Sequence, residues 1–375
     1  MTDRLEWFRE NEARIYRYFD TLHAIPEPGF QEVKTSAFLA GELRRLGYAV
    51  QDSFARTAVL GTLETGQSGP VVCLRADMDA LTFTVDGETK HIHACGHDAN
   101  CTEVLAAAAA AAETGFLKHG TLKVLFQPCE ETMQGALSVL ESGVLNDVDY
   151  MFGTHLRPAR ELESGACPAV LHGAMAVARI AVHGRSAHGA RPYEGINAVT
   201  AGARIVDAVT KLSPKDETPC SIKATRFETA EGSVNIIPAE ATLFFDIRAQ
   251  TNACMDWLKE QLLRITERIA KETGAGCELC YTGGVPAAEA SQEAIAYAEK
   301  AIRRVCGGQC HEPVITAGGE DFHFYTRHIP GLRASVLGFG AHMKEGLHQP
   351  KMSFDRSVLP VAAEVLACVA ETIMK

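Results

Sequence analysis

The segment TLKVLFQPCEE, residues 121–131, decides the reading of the fold. Leu122 to Phe126 reads as a buried strand that runs through Pro128 into two glutamates, Glu130 and Glu131. Two other segments repeat that arrangement. In VVCLRADMDAL (71–81) a strand pattern at Val71 to Leu74 is followed by Asp77 and Asp79. YMFGTHL (150–156) is a short strand ending at His155. Helical patterns lie between and before them: residues 4–23, Ser36 to Leu46, and an alanine-rich helix that Thr102 and Glu103 can start. This order predicts an α/β fold with a mostly parallel sheet between helices. In such open sheets the ligand crevice lies outside the carboxyl ends of the strands. Asp77, Asp79, Glu130, Glu131 and His155 all fall there, so groups distant in sequence converge on one rim.

The pattern changes near Ala174. ARIAVHG (178–184) alternates like a half-exposed strand, INAVTAGARIVDAVTKL is helical, and CSIKATRFE and AEATLFFDIRA are strands. In the next helix Met255, Leu258, Leu262, Ile265 and Ile269 are spaced 3, 4, 3, 4, one helical face. It stops at Gly274, and GCELCYTGG supplies a last strand. The order β-α-β-β-α-β is that of a small α+β sandwich. Residues 174–287 are therefore expected to form a second domain inserted in a first made of 1–173 and 288–375. The chain then returns to α/β, with a helix at Gln292 to Val305, a strand at Ala334 to Leu337 and a helix from Val358.

Length and charge bound the partners. The 375 residues suffice for two domains. A formal net charge of -11 disfavours nucleic acid and anionic membranes, which leaves a small molecule or peptide as the expected partner. The N-terminus is charged and amphipathic, unlike a signal peptide. No run reaches the roughly 18 apolar residues of a membrane span; the longest, Val104 to Ala112, is short and small-sided. The cytoplasm is the expected compartment, where the 12 cysteines stay free or bind metal.

Chemistry concentrates in HIHACGHDANC (91–101). Cys95 and His97 flank Gly96, which permits the bend that would aim both at one metal; thiolate and imidazole suit zinc and its neighbours. The competing reading is a buried free cysteine beside a structural histidine. Glu130 and Glu131 repel each other and need a reason to adjoin. A metal on Glu131, with Glu130 accepting a proton from an activated water, supplies one. His348, in GLHQPKMSFD, fits as a further ligand beside these and as a surface histidine without them. In the inserted domain His188 sits in the loop HGRSAHGARPYEGIN, either reaching a developing negative charge or simply exposed. Asn235 lies near a strand start. Arg248 ends a strand and can clamp a carboxylate. TAGGEDFHFY (316–325) offers the backbone N–H groups of Gly318 and Gly319. Cys277 and Cys280 would face opposite sides of a strand, which argues against a four-cysteine zinc site with Cys306 and Cys310. Zincin, serine hydrolase and P-loop motifs are missing.

Taken in order, LHAIPEPGFQE (22–32), LRADMDAL, HACGHD, FQPCEE, GTHL, SAHGARPYEGINAV, VNIIPAEA, GGEDF and LHQP run nearly the full length. They resemble the metallopeptidase family of aminoacylases, glutamate carboxypeptidase and acetylornithine deacetylase, and within it the amidohydrolase branch of hippurate and auxin-conjugate hydrolases. The resemblance implies a dinuclear metal centre (zinc, manganese or cobalt) bridged by Cys95. His97 and His155 would complete one site, and Glu131 and His348 the other. It further implies Glu130 as general base and then acid, and His188 polarising the scissile carbonyl. Asn235 and Arg248 would hold substrate, and the inserted domain would act as lid and homodimer surface. Hydrolysis of an N-acyl amino acid or related small amide is the expected activity; the alternatives are a dipeptidase or carboxypeptidase, a non-catalytic metal-dependent binding protein, and thiol redox chemistry through Cys95, Cys101 and Cys129. Three positions depart from the branch: Asn100 stands where histidine is usual, RPARELESGAC after GTHL is less regular, and Asp355 is followed by Arg356.

Overall fold

A computed structural model of the chain describes residues 3–214, 217–229 and 233–375. The described residues divide into two compact units, His172–Ala288 with Thr316–Glu320, and the remainder. The short return segment Thr316–Glu320 goes with the second unit, whereas the sequence put it in the first.

The first unit is built on a seven-stranded sheet. Its spatial order is Ala49–Phe54, Ala58–Glu64, Thr121–Gln127, Val71–Asp77, Tyr150–Pro158, Arg333–Met343, Ser164–Cys167. The four central strands are parallel, and the strands outside them pair antiparallel, so the sheet is mixed. Alternate residues of the central strands enter different cores. Leu74, Val124, Phe152 and Leu337 pack beneath one helical layer, and Cys73, Leu125, Met151 and Val336 beneath the other. Burial on both faces is why these strands read as continuous apolar runs.

The strands outrun their sequence expectation. The first continues past Leu74 to Asp77 because its register with the neighbour holds from Val71↔Thr121 to Asp77↔Gln127. The strand through His155 continues to Pro158, since His155 pairs Gly338 and the ladder goes on. His155 is thus inside a strand, not at its end. Between Val71–Asp77 and Tyr150–Pro158 the ladder ends at Arg75↔Gly153, two residues short of Asp77 and His155.

Two helix expectations also change. Residues 4–23 form two helices, Arg4–Glu10 and Glu12–His23. At the break Asn11 Nδ2 donates to the Trp7 carbonyl at 2.9 Å, a local side-chain bond that competes with helix continuation. The alanine-rich helix starts at His97, not Thr102, because Gly96 at φ 86° turns the chain directly into it. Ala106 to Ala111 are buried on every side, and their small side chains allow both the sheet and the helix Val358–Ile373 to approach.

In the second unit the strands Cys220–Thr229, Glu240–Ala249, Ala174–His183 and Gly276–Val285 lie in that order, all antiparallel. Helices Ala198–Val209 and Asn252–Thr273 cover one face. Both start on side-chain caps: Asn197 accepts from Thr200 N–H, and Thr251 from Cys254 N–H. Met255, Leu258, Leu262, Ile265 and Ile269 are all buried on that face.

Candidate metal centre

Gly96 is the hinge of the centre. Its left-handed backbone lets Cys95 close the extended segment while His97 opens the buried helix. Cys95, His97 and His155 present Sγ and ring nitrogens that lie within 4.8 Å of one another. Cys95, Glu131 and His348 form a second such group, and His97, Glu130 and Glu131 a third. Cys95 Sγ is 3.6 Å from His155 Nε2, and Glu131 Oε2 is 3.5 Å from His348 Nε2. Glu131 Oε1 is 3.9 Å from His97 Nε2. Five residues from four separate segments therefore meet, with Cys95 common to two groups. His348 is the solvent-side member, 56% exposed. Its N–H donates to the Ala94 carbonyl at 2.7 Å, which ties the late loop to the residue before Cys95.

The ring orientations are fixed from behind. His155 Nδ1–H donates to the Leu156 carbonyl at 2.7 Å, and His97 Nδ1–H to the Asp79 carbonyl at 3.0 Å and Oδ1 at 3.1 Å. Each Nε2 lone pair then faces inward, as metal-ligating imidazoles require. His97 Nε2 and Glu131 Oε1 are buried without a hydrogen-bond partner. Buried polar atoms are seldom left so, and these fit a cation. One thiolate, three imidazoles and a carboxylate form a mixed donor set suited to zinc, manganese or cobalt.

Asp79 is the main functional residue that sequence reasoning placed on the rim without a role. Besides His97 it accepts the Glu130 N–H on Oδ1 and the Glu131 N–H on Oδ2, both at 3.1 Å. Asp77 accepts from Arg75 Nη1 at 2.7 Å and from Asn100 Nδ2 at 2.7 Å, which gives the Asn100 departure a definite partner. Arg75 also reaches Gln127 and Asp321 at 2.9 Å each, and the Asp321 N–H points at Glu130 Oε1, 3.4 Å away.

The electrostatics of the protein groups alone favour an added cation. Burial, reinforced by Glu131, pushes the Cys95 thiol well above its ordinary range. Burial also raises the Glu131 carboxyl, although His97 draws it down. Burial disfavours charge on His97, yet the nearby Asp77 lifts it well above its ordinary value. Burial, then Arg157, presses His155 down to about 3, so its ring is neutral. A divalent cation would turn the thiol to thiolate and offset the carboxylates. Thiol redox is disfavoured by the same burial: it pushes the Cys129 thiol to about 11 and the Cys101 thiol well above its usual value.

The remaining candidates belong to the second unit. His188 is exposed in a two-residue ribbon, where it pairs Ile236, and the next residue's N–H donates to the Asn235 carbonyl at 2.6 Å. His188 and Asn235 are therefore neighbours. The Asn235 Oδ1 accepts from Ser233 Oγ at 2.6 Å. Arg248 is held by Asp246, two residues back on the same strand face, through Nε at 3.0 Å. The Gly318 carbonyl accepts from Gly173 N–H at 3.1 Å. A side chain at Gly319 would start 2.7 Å from Val285, so this glycine has a packing cause. Cys277 is half-buried and Cys280 exposed, on opposite strand faces.

A mixed sheet between helices that carries such a donor set beside paired glutamates has the equipment of a metal-dependent hydrolase. Residues 73–372 match the peptidase family M20/M25/M40, and the chain belongs to that family, whose class of reaction is amide-bond hydrolysis. It is 30% identical over 375 residues to the IAA-amino acid hydrolase ILR1-like 2 of Arabidopsis thaliana, covering 94% of this chain and 84% of that one. It is 28% identical to the N-acetylcysteine deacetylase of Bacillus subtilis, covering 97% of each. The solved Bacillus subtilis YxeP protein, a dinuclear metal-binding peptidase of family M20, superposes with a TM-score of 0.82 at 25% identity, covering 98% of this chain and 99% of that one.

Proposed function

We propose that the chain hydrolyses the amide bond of N-acyl amino acids with two divalent cations, zinc, manganese or cobalt. Cys95, His97 and His155 would hold one, and Cys95, Glu131 and His348 the other. The observation that carries this is the pair of donor groups sharing Cys95, with Glu130 in reach of both His97 and Glu131. The relatives named for IAA-amino acid and N-acetylcysteine hydrolysis support the substrate class.

When bound, the cations supply a Lewis acid for the carbonyl and an acidified water. The chain does the rest. Glu130 accepts the proton of the attacking water and returns it to the departing nitrogen. Asp79 holds the Glu130 and Glu131 amides and the His97 ring, so that base and ligands keep one geometry. In the second unit we assign His188 to the developing oxyanion, Arg248 to the substrate carboxylate, and Asn235 with the Gly318 and Gly319 amides to the remaining polar groups. That unit serves as lid and as homodimer surface. Its edge strand Cys220–Thr229 and the exposed Tyr193, Val234 and Ile236 support the second role. The twelve free thiols support a cytoplasmic setting, and among the described residues no helix is long and apolar enough to cross a membrane.

The test is a panel of N-acetyl and N-benzoyl amino acids and of dipeptides, each with zinc, manganese or cobalt, on the parent and on Glu130→Gln. The expected outcome is EDTA-sensitive hydrolysis of acyl amino acids. Turnover should fall about 10²- to 10⁴-fold in the variant with metal content kept, the size of a general-base contribution. Preference for dipeptides transfers the substrate to the peptidase alternative. Full activity in Glu130→Gln removes it from the base role.

A further inference from the structure

Five non-glycine residues with left-handed backbone gather in one part of the first unit: Phe30 (φ 61°), Ala55 (43°), Arg56 (66°), Cys129 (57°) and Met133 (60°). Such conformations are disfavoured for residues with a Cβ and persist only where surrounding structure enforces them. They lie in three loops. One precedes the helix Val33–Arg45, one joins the strands Ala49–Phe54 and Ala58–Glu64, and one carries Glu130 and Glu131 out of the strand Thr121–Gln127.

A single side chain ties the three together. Glu32 is fully buried. Its Oε2 accepts from Thr57 Oγ1 at 2.6 Å, and its Oε1 accepts the Cys129 N–H at 2.9 Å. Burying a carboxylate is costly, and packing alone would be served by an apolar side chain. Here the carboxylate continues a series. The successive amides of Cys129, Glu130 and Glu131 are received by Glu32 Oε1, Asp79 Oδ1 and Asp79 Oδ2. The two segments are also joined through the backbone, since the Ala80 N–H, next after Asp79, donates to the Glu27 carbonyl at 2.8 Å in the loop before Glu32. Gly29 closes the turn from the other side: a Cβ there would lie 2.7 Å from Cys129 Sγ. The segment LHAIPEPGFQE, otherwise without a part in the chemistry, thus forms the seat of the glutamate pair.

We infer that Glu32 is a positioning residue for the general base: its carboxylate holds the Cys129 amide and so fixes the left-handed turn from which Glu130 and Glu131 are aimed. This rests on the hydrolase reading for its kinetic consequence, but not for its structural one. The test compares the full-length parent, Glu32→Gln and Glu32→Ala. The expected result for Glu32→Ala is kcat lower by about 10- to 100-fold, with KM and metal content within about twofold. The amides of residues 129–131 should exchange hydrogen about tenfold faster, with the global melting temperature little changed. Glu32→Gln keeps an acceptor and falls between.

A rescue separates positioning from general stability. Glycine takes a positive φ without a Cβ penalty. In the Glu32→Ala chain, Cys129→Gly should therefore restore part of kcat, and Cys129→Ala, which removes the sulfur but keeps the strain, should not. Unchanged kcat, equal effects of the two Cys129 changes, or a loss that merely tracks metal content overturns the inference. If Glu32→Ala does not fold, a Glu32→Gln chain with unchanged kcat assigns Glu32 to folding alone and also overturns it. A parent chain that hydrolyses no amide sinks the hydrolase reading; unaltered exchange at 129–131 sinks this inference whatever the parent does.

Discussion

Glu103 offers a sharp test of how burial sets protonation beside the centre. It lies in the alanine-rich helix, fully buried, and Thr154 Oγ1, one residue before His155, donates to its Oε2. Its Oε1 has no partner. Burial drives its carboxyl from 4.5 to about 8, partly opposed by the Thr154 bond. Between those values the folded chain binds the proton that the unfolded chain has released, so this group makes stability fall as pH rises through the window. Below 4.5 both states are protonated and the penalty vanishes; above 8 it is complete. At about 1.4 kcal/mol per pH decade the full penalty is roughly 5 kcal/mol, an order-of-magnitude figure. Glu103→Gln mimics the protonated acid, keeping an acceptor for Thr154 and leaving the same second atom unpaired. Its stability should match the parent near pH 5 and exceed it by several kcal/mol near pH 8.5. The assay is urea unfolding of both chains in one metal state across that range, with equal m-values required. A difference that stays flat with pH, within about 1 kcal/mol, would refute burial as the controlling factor.

Two further outcomes follow from the geometry. Asp79→Asn turns one of its acceptor oxygens into a donor facing an amide N–H, so chelator competition should show metal binding weaker by about 10- to 100-fold; affinity within about twofold of the parent contradicts the bracing role. Replacing Val234 and Ile236 by glutamate should shift a homodimer toward monomer by tenfold or more in Kd, on the order of 1.4 kcal/mol, when followed by light scattering; a monomeric parent removes the dimer altogether.

The central architecture is legible because parallel strands buried on both faces announce themselves as apolar runs, as Val71 and Leu122 onward do. The edges are harder. Ala49–Phe54, sequence AVQDSF, is polar and largely exposed, so no run marks it. The hairpin Leu81–Val85 with Glu88–Ile92 does carry a local signal: Asp86 and Gly87, at φ 54° and 80°, are the Asp-Gly pair that a tight hairpin turn favours. Strands run past the ends that local composition suggests because register with a neighbour decides where a strand stops. The break at Asn11 depends on one side-chain bond that no periodicity reveals.

The same division runs through the centre. Its candidate ligands were legible because cysteine and histidine are chemically distinctive, and because His97 opens a helix and Glu131 follows closely on a strand; His155 was legible as a histidine in a strand, although the strand runs on past it. What braces them was not. The chain has 47 acidic residues; its place past a strand put Asp79 on the rim without a role, and in sequence nothing separates Glu32 or Glu103 from a solvated carboxylate. Their standing comes from complete burial and from which amides or hydroxyls fall within hydrogen-bond reach. Those are three-dimensional facts, fixed by the ladder that brings Val71–Asp77 beside Thr121–Gln127 and by the loops at its end. A ligand must be one of few residue types; a brace can be any common acceptor, provided the fold dehydrates it. The supports of such a site therefore emerge only with the packing, and substitution there should alter geometry before it alters the fold.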